Sequence, residues 1–78
     1  MEREKVMQLF RDIADGKDPY TTKDVGYAEF RRNYYGNLVK AIDAGDLAAL
    51  TAFDMICKRE SVNEVTELMN WFESWLKF

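Results

Sequence analysis

The sequence predicts an all-α protein, a small compact bundle of four helices, on three observations. Apolar residues recur at helical spacing over four segments, at about 2–15, 22–44, 47–59 and 62–77. Helix stops and starts stand between them: Gly16, Asp18-Pro19, Gly45-Asp46 and Ser61. The connections are short, which favours antiparallel neighbours. A chain of 78 residues makes one small helical domain over 1–78, hiding only roughly 60% of its unfolded surface. Four Tyr, five Phe, two Trp and four Met let a few bulky side chains fill a core that Ala and Val could not.

In the first segment Val6, Leu9, Phe10 and Ile13 share one face, with Met7 and Ala14 on its flank. Gly16 ends it by taking the left-handed conformation, and Pro19, lacking an amide donor, forbids continuation. Thr21-Thr22-Lys23-Asp24 opens the second helix, with threonine as cap and an acid in the first turn. Its stripe is Tyr27, Phe30, Tyr34, Leu38, Ala41 and Ile42, widened by Tyr35 and Val39, so it should touch two neighbours. Gly36 costs roughly 1 kcal/mol against alanine. A bend at Tyr35-Gly36-Asn37 is expected, the alternative being the close approach of another backbone.

Asp46 caps the third segment, where Leu47, Ala48, Ala49, Leu50, Ala52, Phe53, Met55, Ile56 and Cys57 leave only Thr51, Asp54 and Lys58 as a polar strip. This helix is either the buried centre of the bundle or partly an interface. Ser61-Val62-Asn63-Glu64 is a capping box. Beyond it Val62, Val65, Met69, Phe72 and Leu76 point inward, while Leu68, Trp71, Trp75 and Phe78 continue round the adjacent side.

Much chemistry is missing. With no histidine and one cysteine, the usual general base, the Ser-His and Cys-His pairs and a structural zinc site have no residues to build them. Asp15-Gly16-Lys17-Asp18 has too few acids for a calcium loop, and no glycine-rich phosphate loop exists. Glu64 and Glu67 read as a solvated surface with one acid serving as a cap, and Cys57 as a small core residue. No catalysis, metal or cofactor is expected. The net charge of −3 argues against nonspecific nucleic-acid binding. Ala41-x-x-x-Gly45 has the spacing of a helix-turn-helix, but the helix after it has no Arg, Asn or Gln to read base edges. The start MEREKVMQLF lacks the apolar stretch of a signal peptide, no run approaches the ~20 apolar residues of a membrane span, and one cysteine suits a reducing compartment. A cytoplasmic location without membrane contact is expected.

Protein contact remains. Trp71, Trp75 and Phe78 fall at i, i+4 and i+7 on the flank of the core stripe, and large stiff aromatics dominate interface energetics. With Phe53 and Tyr35 they are the candidate partner-binding residues. The expected function is a noncatalytic protein-interaction module: an adaptor, inhibitor or regulator acting through an aromatic, apolar helix face. Such economy suits a small accessory protein of a bacterium or bacteriophage. One alternative is a nucleic-acid-associated regulator using Arg31, Arg32, Lys58 and Arg59, with bases stacking on nearby rings. Arg31, close to the inward stripe, reads better as salt-bridged to Glu64, Glu67 or Asp54. The other alternative is self-association as a structural subunit, with Leu47–Cys57 as the seam.

Overall fold

Four α-helices follow one another in the computed structural model, which describes residues 1–20 and 23–78: α1 (Arg3–Ala14), α2 (Val25–Asp43), α3 (Leu47–Cys57) and α4 (Val62–Trp75). The described residues form no strand. Glycine and aspartate set the boundaries. After α1, Gly16 takes φ +84° while its N–H donates to Ile13 and that of Lys17 to Asp12, the bond pair of a Schellman cap. After α2, Gly45 at φ +78° repeats this, with the N–H of Gly45 on Ile42 and that of Asp46 on Ala41. The Asp46 carboxylate then accepts from the Ala49 N–H at 3.0 Å, so one residue closes α2 and opens α3. Ser61 caps α4 through the Glu64 N–H at 3.2 Å; its hydroxyl also donates to the Glu64 carboxylate at 3.1 Å.

Some expected boundaries shift. Thr21 and Thr22 lie outside the described residues, and the cap of α2 is Asp24, which accepts from the Tyr27 N–H at 3.1 Å. The helix therefore starts at Val25 rather than near residue 22. At the other end of the chain α4 stops at Trp75, because Leu76 is extended at φ −96°, ψ 124°. Phe78 thus lies beyond the helix.

Gly36 does not break the helix: α2 runs continuously from Val25 to Asp43. Nor does a backbone press on the glycine. A Cβ added there would meet the Ala14 Cβ at 3.7 Å, an ordinary contact. Gly36→Ala is accordingly expected to raise stability by about 0.8–1 kcal/mol, read as a higher urea midpoint. A lower midpoint would show that α1 and α2 need that gap.

The core forms around Phe10 of α1, which is fully buried, stacks on Tyr35 at 5.3 Å and meets the edge of Phe53 at 6.0 Å. Val6 and Ile13 complete the α1 stripe, Leu38 continues that of α2, and Val65, Met69 and Phe72 close the core from α4. As its wide stripe required, α2 packs on both α1 and α3, while α4 docks on α3. The nearly all-apolar α3 resolves into one buried line, Ala49, Ala52, Phe53 and Ile56, leaving Leu47 exposed. Two residues placed inward by spacing alone are outside: Phe30 and Val62 are both exposed. Val62 is the first residue of α4, and Phe30 lies on the outer side of the rings of Tyr27 and Tyr34 next to the buried Arg31. No helix among the described residues is long and apolar enough to cross a membrane.

Candidate functional site

Two features of α4 stand apart from the apolar core, one on each side of the helix. The inner one is polar. Position 31 falls in the α2 stripe between Tyr27 and Tyr34-Tyr35, so its arginine is carried inward and only 3% of it stays exposed. The connector after α1 brings Asp18 to it: Nε and Nη2 of Arg31 donate to the two Asp18 oxygens at 2.6 and 3.2 Å, a bidentate pair. Nη1 donates to Glu73 Oε2 at 3.0 Å. The same Oε2 accepts from the Tyr35 hydroxyl at 2.5 Å, and Oε1 accepts from the Tyr27 hydroxyl at 2.9 Å. The guanidinium also lies 5.1 Å from the Tyr20 ring and 5.3 Å from that of Tyr35. Burial works against the charge on Arg31, but Asp18 and Glu73 outweigh it and hold its proton more tightly than usual.

Arg31 is thus an internal tie, as expected, but its partners are Asp18 and Glu73 and not Glu64, Glu67 or Asp54. Glu73 escaped the sequence reading, although a signal for it exists. Val65, Met69 and Glu73 stand four apart, so the line that buries the first two also carries a carboxylate inward.

Three of the four tyrosines share this environment. Burial, then hydrogen bonding to Glu73, raises the Tyr27 phenol; burial and the Glu73 charge push Tyr35 well up and Tyr34 up to about 12. Tyr34 is 4% exposed, and its hydroxyl has no hydrogen-bond partner among the described residues. A raised folded-state value means that the native chain holds these protons while the unfolded chain releases them near pH 10. Their contribution to stability is therefore complete below about pH 10 and is lost as pH rises toward 12. Tyrosinate absorbance from Tyr34 and Tyr35 is expected only together with loss of helical circular dichroism. Ionisation of Tyr34 and Tyr35 near pH 10 in a still-helical chain would contradict the burial.

The outer feature is aromatic. Trp71 and Trp75, one turn apart, are 49% and 56% exposed and meet edge to face at 4.7 Å. Phe78 does not extend this pair. It is half-buried with its ring against the face of Tyr34 at 5.4 Å, and its carbonyl accepts from the Asn37 amide at 3.2 Å. Phe53 and Tyr35, also expected at a partner surface, are 5% and 1% exposed and belong to the core with Phe10. Helical spacing put all five on plausible faces; packing takes three of them inward. Beside Trp71 lies a shallow depression of about 290 Å³, bounded by Arg59, Glu64, Glu67 and Leu68.

The four basic residues considered for nucleic acid do not form one patch. Arg31 is buried, Arg32 borders a groove between α1 and α2, and Arg59 lies beside Trp71. Lys58 pairs with Asp54 at 3.2 Å, as does Arg3 at the same distance; together they hold the Asp54 carboxyl below its usual range. Burial pushes the half-buried Cys57 thiol up, and no group of three or more potential ligands for a metal ion occurs among the described residues.

These features define a helical protein with a polar tie inside α4 and an open tryptophan pair outside it. No protein-family model, no curated protein and no solved structure matches the chain.

Proposed function

We propose that the protein is a noncatalytic interaction module that docks a partner protein on the Trp71–Trp75 edge of α4. The observation that carries this reading is the exposure of both indoles, 49% and 56%, beside a core already filled by Phe10, Tyr35, Phe53 and Phe72. Tryptophan is the residue type most enriched among those that dominate binding energy, because it buries a large rigid surface at small entropic cost. Glu64 and Glu67 outnumber Arg59 around the same depression, which favours a partner surface whose apolar socket is fringed by lysine or arginine. The reading as a nucleic-acid-associated regulator draws no support from the scattered placement of Arg31, Arg32, Lys58 and Arg59.

Because neither indole fills the core, Trp71→Ala/Trp75→Ala is expected to leave the unfolding midpoint within about 1 kcal/mol of the parent chain. Its affinity for a partner captured by crosslinking in host extract should fall at least about 30-fold, the scale of a 2 kcal/mol hot spot. Equal affinity of parent and double variant would sink the proposal. Sedimentation over a concentration series, with and without the two substitutions, shows whether the partner is a second copy of the chain.

A further inference from the structure

We propose that the groove between α1 and α2 binds a small anion built on a chain of phosphates, such as inorganic tripolyphosphate. The chain as a whole carries −3, yet this groove of about 520 Å³ gathers Arg11, Arg32 and Lys40 against a single acid, Asp15. Positive charge is therefore concentrated at one place on an acidic protein.

The helix geometry explains the gathering. Arg32 and Lys40 are eight residues apart on α2, which puts them about 12 Å apart on one face. Gly36 lies midway, four residues from each, and contributes no side chain; opposite it α1 presents the small Ala14, with Arg11 one turn earlier. The missing Gly36 side chain and the small Ala14 leave a low floor between cationic ends. Asn33 and Asn37 also border the groove, although the Asn37 amide donates to the Phe78 carbonyl.

The three cations are unspent. The ion pairs formed among the described residues use Arg3, Arg31 and Lys58, and none uses Arg11, Arg32 or Lys40. Two guanidiniums offer planar donor forks that match phosphate oxygens, and a lysine supplies a point charge at the far end. A ligand with several linked anionic groups is needed to engage Arg32 and Lys40 together. A phosphate chain has them; a single carboxylate does not. A nucleic acid fits less well, because no aromatic ring borders the groove to stack a base and the chain as a whole carries −3.

The probe is inorganic tripolyphosphate, titrated at low salt into the whole protein and followed by amide chemical shifts and by calorimetry. One saturable site is expected, with shifts centred on Ala14, Asn33 and Gly36. Arg32→Gln and Lys40→Gln should each weaken it about tenfold, with helical circular dichroism unchanged, while Arg59→Gln should leave it unaltered. Three results overturn the proposal: no saturable site, shifts that scatter over Lys and Arg residues generally, or affinity indifferent to both groove substitutions. Citrate tests the phosphate assignment; binding equal to that of tripolyphosphate would replace it with any polyanion. Tighter binding of an oligothymidylate at the same amides would replace the small ligand with nucleic acid.

Discussion

Replacing Arg31 with methionine is expected to remove about 3–5 kcal/mol of folding stability. A chain of 78 residues has roughly 4–12 kcal/mol to lose, so the loss is a large fraction of the total. The cost does not come from the lost attraction alone. Methionine fills much of the volume, but Glu73 and Asp18, with side chains 4% and 18% exposed, then face each other with no cation between them. Tyr27 and Tyr35 still donate to Glu73, and the Tyr20 N–H to Asp18 at 2.9 Å, which eases both carboxylates without neutralising either. Arg31→Lys should fall between the two, since one ammonium cannot reproduce a bidentate bond to Asp18 and a third bond to Glu73. The decisive comparison is Arg31→Met/Glu73→Gln. Removing the stranded charge should make the double variant clearly more stable than the sum of the single losses. A urea midpoint for Arg31→Met within about 1 kcal/mol of the parent would mean that the buried tie has been misread.

Phe10→Ala is expected to cost a similar amount, about 3–5 kcal/mol, by a different route. Phe10 is fully buried where α1, α2 and α3 meet, with rings of Tyr35 and Phe53 against it. Truncation leaves a cavity whose walls belong to three helices, so no single element can shift to fill it. Phe30→Ala is the control. Phe30 is 43% exposed and touches the rings of Tyr27 and Tyr34; its loss should cost at most about 1.5 kcal/mol, the value of such ring contacts. Thermal unfolding of the two variants separates them, and comparable losses would refute the placement of Phe10 at the centre.

The contrast between these phenylalanines marks how far the sequence could be read. Number, order and kind of helices followed from apolar spacing, and Gly16, Gly45, Asp46 and Ser61 act at the boundaries as their chemistry requires. Spacing fixes the face of a helix but not its depth in the bundle, so Phe30 and Val62 were placed inward and stand outside. The same limit governs the candidate contact surface. Trp71 and Trp75 are open, whereas Phe53, Tyr35 and Phe78 are drawn inward by neighbours distant in sequence. The start of α2 was set too early because threonine and aspartate are both good caps, and only the bond to the Tyr27 N–H identifies Asp24. Residue type alone does not mark Glu73, because most helix carboxylates are solvated. Its role depends on Asp18 and Arg31 arriving from 55 and 42 residues away.

Glu73 and the two tryptophans lie within five residues of one another on α4, Glu73 engaged in the tie and the indoles open to solvent. The two kinds of position tolerate change differently. Asp18, Arg31 and Glu73 constrain one another, so a change at one demands a change at the others. Trp71 and Trp75 owe nothing to that bargain and drift or persist according to whatever they touch. A single short helix thus carries, within five residues, positions bound to the fold and positions the fold leaves free.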